Sequence, residues 1–291
     1  MNTPAIPLID IRGLTHRYLP GTPLETKSLC GIDLQVHAGE TVGIVGPTGS
    51  GKSTLLQHMN GLLQPQQGDV RVNGLSLADP SVDMRLIRQR IGLVFQNPED
   101  QLFERYAGDD VAYGPRNLGL PADQVRERVR LAMEMVGLPF AYKDRLIAEL
   151  SHGQKRRLAL AGVLALEPQV LLLDEPTAGL DPQGRRELLQ VLRQWRAKAG
   201  RAMVLASHNM EDIAELATRV YVLVAGCIVF HGSPRELFAH HEMLVQHSLA
   251  VPAATEVMHA LRQYGYPVST DVLSMEEAVN EIKGLLHVQT N

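Results

Sequence analysis

The sequence predicts an α/β fold built on a parallel sheet, and three observations carry that prediction. Apolar runs such as VLLL at 170–173 show no alternation, the mark of a strand buried on both faces. Stretches of helical period separate these runs, as in βαβ units. One strand, TVGIV at 41–45, runs directly into a glycine-rich loop.

The elements follow in order. Residues 8–14 and 30–36 read as short strands around a turn-rich segment, LPGTPLET at 19–26. Further strands are expected at 70–72, 91–95, 170–173, 202–206 and 220–223. The stretch 122–136 places Val125, Val129, Ala132, Met133 and Val136 on one face, and Gly137 follows as a stop signal. From about 75 to 165 the chain has one strand and is otherwise helical, an insertion into the α/β core. After Gly232 the pattern changes. Residues 234–239 read as a short helix, and 253–264 and 274–286 as amphipathic helices. The last opens on Ser274 and Glu277, a capping-box spacing.

Composition bounds the function. The 291 residues are 45% hydrophobic, enough for a sizeable core. A net charge of -4 argues against a nucleic-acid binder, which shows a basic excess or stripe. Cys30 and Cys227 lack metal-site spacing and read as reduced structural thiols of a cytosolic protein. No run reaches the roughly 18 apolar residues that span a bilayer, and the longest, 220–230, is broken by Gly226. The opening MNTPAIPLID lacks the basic and apolar regions of a signal peptide. The chain is therefore expected in the cytosol, serving any membrane through partners. Most of the 11 histidines, including His240, His241 and His247, lack paired metal-ligand spacing and are expected at the surface.

Residues 46–53 read GPTGSGKS, a full match to G-x-x-x-x-G-K-[ST], with Thr54 following. Gly46, Gly49 and Gly51, with Pro47, Thr48 and Ser50 between them, let the backbone curl around phosphate. The amides point inward, and the next helix adds its positive N-terminal end. Lys52 suits the β/γ oxygens of ATP, and the Ser53 hydroxyl suits Mg²⁺. At 170–175, VLLLDE carries two carboxylates to the carboxyl end of a buried strand, where parallel sheets place their ligands. Asp174 suits the magnesium ion, through water. Glu175, pointing differently, suits a general base for the attacking water.

With these motifs the sequence resembles the ATP-binding-cassette ATPases over residues 6–235. The resemblance implies a RecA-like α/β core with an N-terminal antiparallel β part and a helical subdomain at about 97–165. A small α-rich extension would fill 236–291. It implies that Tyr18 stacks on adenine and that Gln96 reaches Mg²⁺ and the attacking water. His208, after the strand AMVLAS, would contact the γ-phosphate. LSHGQ at 150–154 is similar to the family signature LSGGQ. Its chemistry is also legible by itself: Ser151 and Gln154 form an S-x-x-Q box, and the helix end with Ser151, His152 and Gly153 faces an anion. In the family that anion is the γ-phosphate of a second subunit, and Asp181 of the GLD loop crosses to that subunit too. His152 departs from the usual glycine, but its backbone N–H remains.

Three softer matches resemble the energy-coupling-factor branch and its cobalt-type relatives: FQNPEDQLF at 95–103, RRLALAGVLALEP at 156–168 and PGTPLETKSL at 20–29. The last is similar to an insert of the second of two paired ATPases. The resemblance implies an ATP-hydrolysing subunit that powers import of vitamins or transition-metal ions. Its partners would be a second ATPase, a paralogue or a second copy, together with a transmembrane coupling protein and a substrate-capture membrane protein. It would sit on the cytoplasmic face of the membrane. Alternatives are another ABC importer or a soluble cassette ATPase; a phosphate-loop kinase would not need LSHGQ, GLD and His208 in this order.

Overall fold

The computed structural model describes residues 6–288. The first five residues of the segment read as lacking a signal, and 289–291 of the extension, lie outside the described residues.

Two sheets form. An antiparallel sheet holds β1 (Ile9–Tyr18), β2 (Thr26–Val36), β4 (Gln67–Val72) and the short β5 (Leu75–Ser76), in the order β2-β1-β4-β5. The six-stranded sheet has β3 (Thr41–Val45), β6 (Ile91–Val94), β7 (Val170–Asp174), β8 (Ala202–Ala206), β9 (Arg219–Val224) and β10 (Cys227–Gly232). Its order is β10-β9-β3-β8-β7-β6, and every pairing but β10–β9 is parallel. The lack of alternation in VLLL now has its reason. Leu171 and Leu173 enter one core, on the helical side, and Val170 and Leu172 enter another, under the antiparallel sheet.

The helical-side core is closed by α3 (Ala107–Asn117), α4 (Ala122–Met135) and α5 (His152–Leu164). The α4 face is as expected: Val125, Val129, Ala132, Met133 and Val136 are all buried. The second core packs α1 (Lys52–Met59) and α2 (Met84–Arg90) between the sheets. Strands β1 and β2 run longer than the sequence suggested. Paired as a bulged hairpin, they gain ladder bonds that offset weak local signals. The turn between them is held by Arg17, which pairs with Glu25 at 2.6 Å.

Past residue 232 come α8 (Pro234–Ala239), α9 (His241–Gln246), α10 (Ala253–Gln263) and α11 (Met275–Val288). Helix α9 was not foreseen from the sequence. Leu237, Phe238, Leu244 and Leu249 join the large core, whereas α10 and α11 share a small one of their own around Met258 and Val268. Ser274 caps the Glu277 N–H at 3.1 Å, but the Glu277 carboxylate bonds the Leu273 N–H instead of closing the box.

Two findings go beyond or against expectation. Cys30 and Cys227, read as reduced structural thiols, lie side by side, with Cα atoms 5.2 Å apart. The Cys30 N–H donates to the Gly226 carbonyl at 2.9 Å, so β2 meets the β9–β10 turn across 197 residues of chain. No local pattern encodes such a meeting. Nor are the histidines outside the nucleotide motifs all at the surface, since His16 and His58 are buried, 6% and 0% exposed. No helix among the described residues is long and apolar enough to cross a membrane.

Candidate active site

The phosphate loop leaves β3 and enters α1. Glycine is enforced at two positions by close approach. A Cβ on Gly46 would lie 2.1 Å from the Leu223 carbonyl oxygen, and one on Gly51, at φ 103°, would lie 2.5 Å from that of Ser28. Lys52 is buried and donates to the carbonyls of Gly46 and Pro47, at 2.8 and 3.1 Å. Burial lowers its pKa from the usual lysine value, with Glu175 and Asp174 opposing. A buried ammonium spanning its own loop is a cation ready for an anion that enters it.

Asp174 ends β7, is 7% exposed, and lies beside Ser53 and Lys52. Burial, the largest cause, holds its carboxyl above the usual range, and Glu175 adds to this against Ser53 and Lys52. Carboxylate and hydroxyl are oxygen donors of the hard kind that suits Mg²⁺. The residues present therefore fit the ion.

Glu175 sits in the left-handed region at φ 48°, a strain of about 1–3 kcal/mol for such a residue. Its N–H is tied to the Ala206 carbonyl at 2.9 Å. Its carboxylate accepts the His208 N–H at 3.1 Å and lies 2.7 Å from the His208 Nδ1. The structure thus brings Lys52, Ser53, Asp174, Glu175 and His208 together.

Tyr18 ends β1, and its hydroxyl lies 3.2 Å from Thr54 Oγ1, to which Ser28 also donates at 2.9 Å. The ring is 40% exposed, open to a planar partner. Gln96 follows β6 and is exposed, while its carbonyl accepts from Arg156 at 2.9 Å. Arg156 also donates to the carbonyls of Glu175, at 3.2 Å, and Pro176, at 2.7 Å. Its guanidinium, 6% exposed, joins the site to α5. Sequence reading gave it no role in the site, since between Lys155 and Arg157 it looks like part of a solvated basic face.

Ser151, His152, Gly153 and Gln154 open α5. The Ser151 Oγ accepts the Gln154 N–H at 3.3 Å, and the Gln154 Oε1 accepts the Ser151 N–H at 3.0 Å. Ser151 and His152 are exposed. None of their hydrogen bonds among the described residues reaches the phosphate loop. Asp181, also exposed, caps α6 (Pro182–Arg196) by accepting the Gly184 N–H at 3.0 Å. The sequence-marked residues therefore divide into one group gathered at the loop and one facing outward.

Comparison with known proteins agrees with this geometry. Residues 29–178 match the family model described as ABC transporter. The chain is 53% identical, over 96% of its own length and 96% of the relative's, to the energy-coupling factor transporter ATP-binding protein EcfA2 of Symbiobacterium thermophilum. Among solved structures it resembles CbiO1 of Clostridium perfringens, described as part of the ABC transporter complex CbiONQ. That match has a TM-score of 0.72 and 35% identity over 87% of this chain and 99% of the other. It also resembles the ATP-binding cassette MJ0796, solved as a dimer with ADP and Pi, at TM-score 0.71 and 26% identity over 78% and 98%. The shared fold, the loop GPTGSGKS and near-full-length identity above half lead to one conclusion: this chain belongs to the ABC transporter ATPases, in their energy-coupling-factor branch.

Proposed function

We propose that the chain binds and hydrolyses ATP to power an energy-coupling-factor importer of vitamins or transition-metal ions. The observation that carries the reading is the Glu175 carboxylate, held 2.7 Å from His208 Nδ1 and next in chain to Asp174, at the carboxyl end of β7. ATP phosphates enter the loop of Gly46, Pro47, Thr48, Gly49, Ser50, Gly51, Lys52, Ser53 and Thr54, with adenine on Tyr18. Lys52 exchanges its loop carbonyls for phosphate oxygens. Ser53, Asp174 and Gln96 would hold Mg²⁺, which would supply positive charge against the triphosphate. Glu175 takes the proton of the attacking water, and His208 keeps that carboxylate aimed at it.

Ser151, His152, Gly153, Gln154 and Asp181 serve a second cassette. The open end of α5 offers amides and a positive helix terminus to a phosphate that this chain does not hold. The partner is a paralogous ATPase or a second copy. The pair docks peripherally, on the cytoplasmic face, onto a transmembrane coupling protein that works with a substrate-capture protein. The exposed surface from Gln96 to Phe103, whose Phe103 ring is 62% exposed, is where coupling helices would seat.

The test is to purify the tagged chain from membranes, identify its companions and assay phosphate release. A second cassette and integral membrane proteins are expected, with ATP converted to free phosphate. Recovery of the chain alone, or with ribosomes, would sink the transporter reading. A phosphorylated small-molecule acceptor would sink the hydrolytic one.

A further inference from the structure

Asp212 lies in the first turn of α7 (Met210–Leu216), four residues past His208, and its side chain is 0% exposed. A carboxylate taken wholly out of water is costly unless both oxygens are engaged. Here both are, by residues that flank a single loop. Thr177, two residues past Glu175, donates its hydroxyl to Oδ2. Arg185, four past Asp181, donates Nε to Oδ1 at 2.7 Å.

Each side of this bridge is itself fixed. Asn209 caps α7 by accepting the N–H groups of Glu211 and Asp212, at 3.0 and 3.3 Å, which ties Asp212 to the helix end carrying His208. Asp181 caps α6, and its carbonyl accepts the Arg185 N–H at 2.9 Å. The loop from Glu175 to Asp181 is therefore pinned on both flanks to one buried carboxylate. Glu215 also pairs with Arg185, at 3.4 Å, and with Arg193, from the exposed side.

We propose that Asp212 is a positioning residue for hydrolysis. It holds the Glu175–His208 pair and the Asp181 loop in one fixed relation, so that contact of a second cassette with Asp181 is felt at this chain's own Glu175. The proposal rests on the hydrolytic reading above. An amide replaces the carboxylate only in part. Asn can accept from Arg185 and donate to the Thr177 hydroxyl, which then accepts, but it loses the charge that pairs with the Arg185 guanidinium.

The test uses the complex purified with the full chain, assayed for phosphate release across ATP concentrations and for its unfolding midpoint. Thr177→Val removes one bond at constant shape and leaves the Arg185 pair. It is expected to lower kcat by about tenfold or more, with KM for ATP within about twofold and the midpoint within about 4 °C. Asp212→Asn, which removes the charge facing Arg185, should lower kcat with the same split. Unchanged kcat in Thr177→Val, or a fall matched by a rise in KM or by lost folded protein, overturns the proposal. Glu175→Gln is run alongside. Full turnover there removes the hydrolytic reading and this proposal with it, whereas silence there beside a normal Thr177→Val removes the positioning role alone.

Discussion

Acidification should destabilise this fold through one buried histidine in α1. His58 is fully buried, and its ring meets that of His16 edge-on at 4.8 Å. Among the described residues, the ring nitrogens of both lack a well-formed hydrogen-bond partner. Burial first, and His16 second, bring the His58 pKa from 6.5 down to about 4. The sign follows from proton counting. Between those values the unfolded chain carries a proton on this residue that the native state refuses, so stability rises with pH. The contribution is whole above about 6.5 and is lost as pH falls toward about 4. At about 1.36 kcal/mol per tenfold in proton affinity the full passage is on the order of 3 kcal/mol, of which about 2 kcal/mol is gone by pH 5.

Urea unfolding at pH 7.5, 6.5, 5.5 and 5.0, for the natural chain and His58→Phe, measures this. Phe keeps the ring contact and cannot titrate. Its stability at pH 7.5 should lie within about 1.5 kcal/mol of the natural protein, as for shape-conserving swaps. Its loss between pH 7.5 and 5 should be smaller by about 2 kcal/mol, the remainder belonging to His16 and the carboxylates. Parallel curves for the two proteins would refute the account.

Three further outcomes are expected. Glu175→Gln should bind ATP with unchanged affinity, lose about a hundredfold or more in phosphate release and trap a closed pair visible by size-exclusion chromatography with ATP. Normal release would remove Glu175 as the base. Ser151→Arg puts a bulky charge at the open end of α5 and should disable the partner's nucleotide site while sparing the one built on Lys52, as read by photo-crosslinking of ATP to each subunit; the opposite pattern reverses the assignment. Gly46→Ala drives a Cβ to 2.1 Å from the Leu223 carbonyl oxygen, so calorimetry should show ATP binding lost and urea unfolding a cost of about 1–3 kcal/mol.

How much of this was legible in the sequence depends on where each constraint acts. GPTGSGKS and VLLLDE were legible because phosphate chemistry fixes residue types at neighbouring positions. So was the parallel sheet, because strands such as β7 feed two cores and leave no polar face. The α4 stripe was legible from its period. The extent of β1 and β2 was not, since a bulged hairpin draws on ladder bonds that no single strand announces. The buried charges stayed hidden for a related reason. Asp212 and Arg156 look like ordinary surface residues in a window of ten. Only the fold brings Asp212 to Thr177, 35 residues away, and Arg156 to the Gln96 carbonyl, 60 away. The same holds for His16 and His58, and for Cys30 with Cys227.

The two groups of site residues differ in how their polar atoms are satisfied, and this bears on why the chain would need a companion. Inward groups are closed: Lys52 has its loop carbonyls, and Glu175 has His208. At the head of α5, by contrast, the Ser151–Gln154 box uses the side chains of both residues on each other. The first-turn amides of His152 and Gly153 keep no partner within the helix, as at any helix start. In water such amides are solvated and cost little. Against a second cassette they would be desolvated, and there an acceptor is required. A phosphate supplies one, with charge that the helix end favours. An empty partner site supplies none and leaves Ser151 facing a buried gap. Closure of such a pair would therefore be favourable when nucleotide is present and costly when it is absent, and that difference would let hydrolysis reopen it.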